Sequence, residues 1–158
     1  MQHETQENCR QTIAGQPSDV IDEAVIERLI RRFYDNVRDD KLLGPIFDAR
    51  IADWETHLQR MFAFWSSVML GSGRYQGQPM QKHDRLPIDA RHFDHWLSIF
   101  ERTARDACSP VVAELFIERA QRIATSLEMG RAIASDVLLA KGQRFIDAAL
   151  NVPSAPLR

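Results

Sequence analysis

The stretch WETHLQRMFAFWSSVMLGSGRYQGQPMQKH, residues 54–83, decides the fold. Trp54, Leu58, Met61, Trp65 and Val68 recur at helical spacing, with His57 and Phe64 on the same side. That pattern is an amphipathic helix opening near Asp53. The run GSGRYQGQP over 71–79 holds three glycines and a proline and reads as loop. From Met80 to Leu86 there is room for one or two helical turns before Pro87. Two histidines thus stand in different settings. His57 lies inside an apolar stripe, and His83 lies in a short segment beyond a flexible loop.

Upstream, Ile21, Val25, Leu29, Phe33 and Val37 recur every four residues, with Ile26, Ile30 and Tyr34 as the adjacent row. Together they form one wide apolar helix face, for which Asp22 is a fitting N-cap. Gly44-Pro45 breaks the chain before Ile46-Phe47. Downstream, a third long helix is expected from Asp89, with Phe93, Trp96, Leu97, Phe100, Ala104 and Ala107 as its apolar positions. Ser109-Pro110 reads as N-cap and first residue of a fourth, whose core face is Val112, Phe116, Ala120, Ile123 and Leu127. Gly130 is expected to stop or loosen that helix. No segment alternates like a strand over a useful length, so the fold class is all-α, with about four long helices plus short pieces. Three regions follow: a polar, flexible leader over 1–18, a helical domain over 19–130, and an extension over 131–158. The extension has enough apolar content for a short helix before a frayed end.

The 158 residues suit one domain with a real core, and 44% hydrophobic with 27% charged residues is ordinary for a globular chain. A formal net charge of -2 provides no basic footprint for nucleic acid. No apolar run approaches the roughly 20 residues needed to cross a bilayer. The opening MQHETQENCRQTIAGQPSD is too polar for a secretory signal, and a cytoplasmic protein is expected. Cys9 and Cys108 form neither a C-x-x-C pair nor a zinc pattern, and are read as unpaired thiols.

Of the five histidines, His3 falls in the leader, His92 in the first turn of a helix, and His95 off the apolar stripe. All three are expected to face solvent. His57 and His83 gain meaning as a pair, because one long helix and one short segment could set two imidazoles on opposite sides of a flat cofactor. The aromatic residues around them, Phe33, Tyr34, Phe47, Trp54, Phe62, Phe64, Trp65, Phe93, Trp96 and Phe100, would line such a group. They would serve equally as the core of a cofactor-free helical interaction module. The two readings differ in whether the purified protein is coloured.

FYDNVRDDKLLGPIF (33–47), the 54–83 block, Leu86-Pro87, HFDHWLSIFE (92–101) and ERAQRIA (118–124) together resemble the truncated haemoglobins, specifically their third group. The likeness covers roughly residues 20–130, and its most specific part runs from W-x-x-H to G-Q-P-x-x-x-H. The first two groups carry Gly-Gly loop motifs, and this chain has no Gly-Gly dipeptide.

The resemblance implies a truncated globin, a two-on-two α-helical sandwich around haem b. His83 matches the proximal histidine that ligates the iron. Tyr34 and His57 match distal positions, and Trp96 matches a tryptophan whose indole faces the distal pocket. Phe47 matches the phenylalanine packed on the macrocycle, with Met61, Phe64 and Phe93 as further wall. Without a C-x-x-C-H motif, the haem would be held non-covalently. Arg60, three residues after His57, could reach the anionic propionates, with Arg91 a weaker candidate.

A neutral imidazole ligand leaves the sixth iron position open to a diatomic gas, O2, NO or CO. Oxygen bound there takes on negative charge and gains from donors such as the Tyr34 hydroxyl and the Trp96 N–H. At about 1.5–3 kcal/mol each, such donors favour retention over delivery. Nitric oxide dioxygenation or peroxidase-like chemistry would use the same pocket. No flavin or nicotinamide motif is present, so a redox-active form would need a separate electron donor.

Overall fold

The computed structural model describes residues 17–153. Among them are six helices and no strand: α1 (Glu23–Asp39), α2 (Leu43–Asp48), α3 (Trp54–Leu70), α4 (Pro79–His83), α5 (Ala90–Ala107) and α6 (Pro110–Ala134). Local chemistry sets most of the boundaries. The Asp22 side chain accepts the Val25 N–H at 2.9 Å, Asp53 caps through Thr56, and Ser109 caps through Val112 with Pro110 at the first helical position. α3 stops at Gly71, whose φ of 63° suits a residue without a Cβ.

The layers are two helix pairs. α1 packs on α3, α5 packs on α6, and α1 crosses to α5 to join them. The buried face of α1 follows the predicted stripe, and on α6 Val112, Phe116 and Ala120 are buried while Ile123 and Leu127 are half-buried; Phe33, Phe62, Phe100 and Phe116 are fully enclosed. Trp65 and Trp96 both stack on Phe100, with centroids 5.1 and 5.5 Å away. The core is divided, however. A main cluster joins α1, α3, α5 and α6. A smaller one gathers around Ile88, Phe93 and Ala124, and Trp96 and Leu97 are the half-buried residues packed against both.

Several expectations are corrected. Gly130 neither stops nor loosens α6, which runs on to Ala134. The helix ends where Asp136 turns left-handed (φ 59°) and the Val137 N–H returns to the Ala132 carbonyl at 2.9 Å. No further helix follows among the described residues. Residues 135–153 form an irregular segment laid against α5 and α6, with Phe145 buried. His92 is buried rather than solvated, since it completes a capping box with Asp89 and accepts the Asp89 N–H at 3.1 Å. His95 does not simply face water, because its Nε2 lies 2.6 Å from the Asp40 carboxylate. Cys108 is a buried free thiol at the C-cap of α5. Cys9, His3 and most of the 1–18 leader lie outside the described residues.

Candidate functional site

His83 ends α4, a helix of five residues that starts on Pro79 and whose N-cap Gln78 makes no side-chain capping bond. So short a helix holds itself poorly, and packing on α6 supplies what its own hydrogen bonds do not. The His83 Nδ1 lies 2.6 Å from the Pro79 carbonyl. A carbonyl only accepts, so Nδ1 carries the proton and the Nε2 lone pair is left for a Lewis acid. Burial lowers the His83 pKa, partly offset by the Pro79 bond and Asp84, and this favours the neutral, ligating imidazole.

His57 projects from α3 into an aromatic corner. Tyr34 of α1 meets its ring edge-on at 5.1 Å, and Trp54 does so at 5.8 Å. Phe47 of α2 closes the corner, 6.0 Å from Tyr34 and 6.4 Å from Trp54. The His57 Nε2 is buried without a hydrogen-bond partner among the described residues. Burial pushes its pKa down to about 4, helped by the positive charges of Arg60 and Lys82. His57 is therefore neutral near pH 7, and its unpaired nitrogen is costly unless something supplies a partner.

Burial raises the Tyr34 pKa, so its hydroxyl stays protonated and able to donate. Phe33 lies edge-on to Tyr34 at 5.0 Å and to Trp96 at 5.3 Å. One enclosed ring therefore fixes the relative placement of the two aromatic donors.

Tyr34, His57 and Phe47 are thus brought together, and Trp96 joins them through Phe33. Met61 and Phe64 are half-buried against the main cluster, and Phe93 is buried in the smaller one. Arg60 is exposed on α3. Arg91 is committed elsewhere, because its guanidinium pairs with Asp89 at 2.6 Å and bonds the Asp147 and Leu150 carbonyls. Trp54 and Lys82 were not among the site residues that the resemblance implied. Trp54 reads from sequence as helix stripe and as one of many lining aromatics, and in the fold it meets His57 directly and carries Arg38 over its ring at 4.6 Å. Lys82 acts on His57 through its charge, and the only signal for it in the sequence is that it adjoins His83.

A cleft of about 720 Å³ opens between α3, α4 and α6, walled by Phe64, Val68, Pro79, Met80, Ile123 and Leu127. Neither histidine lines it, but Pro79 and Met80 belong to the helix that bears His83, and Phe64 belongs to the helix that bears His57. The histidine region is better described by its chemistry. One imidazole has a free Nε2, a second has an orphaned Nε2, half-buried apolar residues separate two core clusters, and two cations act on His57. These residues fit a flat, anionic, iron-bearing macrocycle such as haem.

The family model of the bacterial-like globins matches residues 19–129. The group 3 truncated haemoglobin ctb of Campylobacter jejuni is 35% identical over 115 residues, 70% of this chain and 91% of that protein. A crystal structure of the group III truncated haemoglobin from C. jejuni superposes with a TM-score of 0.68 at 34% identity, covering 72% of this chain and 93% of that one. The group II truncated haemoglobin of Bacillus anthracis follows at 25% identity and a TM-score of 0.59, covering 66% and 83%.

Proposed function

The chain belongs to the bacterial-like globins, among the truncated haemoglobins of the third group, and from that premise we propose that it binds oxygen and other diatomic gases at a haem held by His83. Haem iron is the family's cofactor, and when bound it supplies the open coordination position that a gas occupies. The remaining work belongs to the side chains. Pro79 holds the His83 proton on Nδ1, which keeps Nε2 a ligand. Phe47, Met61, Phe64 and Phe93 exclude water from the macrocycle. Arg60, together with Lys82, offers charge to the propionates. Tyr34 and Trp96, which both pack on Phe33, would offer hydrogen-bond donors to a gas at that position, and neutral His57 stands beside Tyr34.

The observation that carries this reading is the 2.6 Å contact of His83 Nδ1 with the Pro79 carbonyl, which leaves Nε2 unprotonated and able to ligate iron. It is tested by the absorption spectrum of purified protein beside that of His83→Gly. We expect the wild type to bind one haem per chain, and the variant to lose the axial-ligand spectrum and regain it with added imidazole. A His83→Gly protein with the wild-type spectrum and no response to imidazole would show that another residue holds the iron.

A further inference from the structure

We propose that the C-terminal segment, with Arg131 as its key, is a brace that positions the proximal histidine. This rests on the reading of His83 as the iron ligand. The segment lies beyond residue 129, where the family match ends.

The corner that follows His83 has few bonds of its own. The Leu86 N–H returns to the His83 carbonyl at 3.2 Å, and the Ile88 N–H to the Leu86 carbonyl at 2.8 Å. From α6, the Arg131 Nε donates to the same Leu86 carbonyl at 2.7 Å, and the Arg131 side chain is almost wholly buried. One residue earlier, Gly130 receives Met80 of α4 without a Cβ between them. Adjacent α6 residues therefore grip the proximal segment on both sides of His83, one at Met80 and one at Leu86.

Arg131 is itself held by the segment. Its guanidinium lies 5.4 Å over the ring of buried Phe145, and Asp147 stands 3.8 Å away. Phe145 is fixed through its backbone, its N–H donating to buried Glu128 at 2.9 Å and its carbonyl accepting from the Ala90 N–H at 2.8 Å. Arg144 beside it bonds both oxygens of Glu128 and reaches Asp94 at 2.7 Å. The Asp147 N–H donates to fully buried Asp89 at 3.1 Å. These contacts tie the start of α5, the end of α6 and the His83–Asp89 corner into one unit. An axial ligand on a five-residue helix needs such outside support, because support around a metal ligand sets its orientation and bond strength.

The test uses the whole 158-residue chain loaded with haem. Arg131→Met keeps an apolar stem and removes the donor to Leu86, Arg131→Lys keeps a donor, and Arg122→Met breaks an exposed ion pair on the same helix as control. The readouts are the ferrous iron–histidine stretching band in resonance Raman and the rate of haem transfer to excess apomyoglobin. We expect Arg131→Met to shift or broaden the band and speed haem transfer about tenfold. Arg131→Lys should recover most of both, and Arg122→Met should change neither. A wild-type band and transfer rate in Arg131→Met overturn the brace. If Arg131→Met does not fold, Phe145→Leu, which withdraws the ring beneath the guanidinium, is judged by the same two results. His83→Gly separates the premises. If the band persists in it, the ligand assignment fails and the brace with it. If the band vanishes there yet is untouched in the brace variants, the brace alone fails.

Discussion

Gly130 of α6 lies so close to Met80 of α4 that a methyl group on its Cα would overlap the Met80 sulfur. A glycine inside a helix normally costs about 1 kcal/mol relative to alanine. Here the Met80 side chain, from the helix that bears His83, fills the space a Cβ would take. Gly130→Ala should therefore bring no gain in stability and should speed haem loss, because α4 must shift or Met80 must change rotamer. The double variant Gly130→Ala with Met80→Ala should recover part of the propensity gain. Chemical denaturation of both, beside the single Met80→Ala, checks this. A Gly130→Ala protein stabilised by about 1 kcal/mol with unchanged haem retention would mean the approach carries no constraint.

Tyr34 and Trp96 share Phe33 as a packing partner, so they are expected to hold a gas ligand jointly. Tyr34→Phe and Trp96→Phe each remove a donor and keep an aromatic ring. The singles need not add, and one could even slow release if the other donor or His57 takes over. The double variant should release oxygen at least about tenfold faster, since 1.4 kcal/mol is tenfold, and carbon monoxide release should change less. Stopped-flow measurement of both gases decides it. Wild-type oxygen release from the double variant would remove these residues from the ligand site.

His57 makes stability depend on pH. The unfolded chain takes up its proton as pH falls through about 6.5, whereas the folded protein resists until about 4. Within that window the unfolded state binds more protons, so stability falls with falling pH. His57→Gln should flatten this part of the curve and leave stability above the window little changed in slope. Urea midpoints across the window provide the measurement. An equal slope in both proteins would mean that His57 protonates freely when folded.

Asp89 acts in a lower range. Burial would raise its carboxyl, but bonds from Arg91 and the Asp147 N–H outweigh that and hold it at about 2, against an ordinary 3.8. Its contribution is complete above the ordinary value and is lost as pH falls through the folded one. Asp89→Asn should cost about 1–3 kcal/mol near neutrality, because it leaves Arg91 and backbone donors short of an acceptor. The variant should also lose less between those two pH values, and acid titration followed by circular dichroism tests both points. If the variant unfolds in acid along the wild-type curve, Asp89 is not the group that titrates there.

The four long helices were legible from sequence because their signals are local. A stripe at every third or fourth residue, an Asp or Ser one position ahead, and a glycine able to turn left-handed at the end of α3 act within a few residues of chain. Asp22, Asp53, Asp89 and Ser109 cap as their positions suggest. The candidate site was named largely through resemblance to a family, since neither His57 nor His83 announces a ligand by spacing alone.

Tertiary structure decided what depends on partners distant in the chain. Gly130 reads as a helix breaker until Met80, fifty positions earlier, is packed on it, and then α6 runs through. The 131–158 extension has the apolar content for a further helix, yet burying Phe145 and satisfying Glu128, Asp89 and Ala90 hold residues 135–153 in an irregular path beyond the end of α6. His95 finds Asp40 across 55 positions. Arg91, a candidate for the propionates by position, is taken instead by Asp89 and by carbonyls from the C-terminal segment. A buried donor or acceptor must be paired wherever its partner lies along the chain, and which partner arrives is settled only when the helices pack.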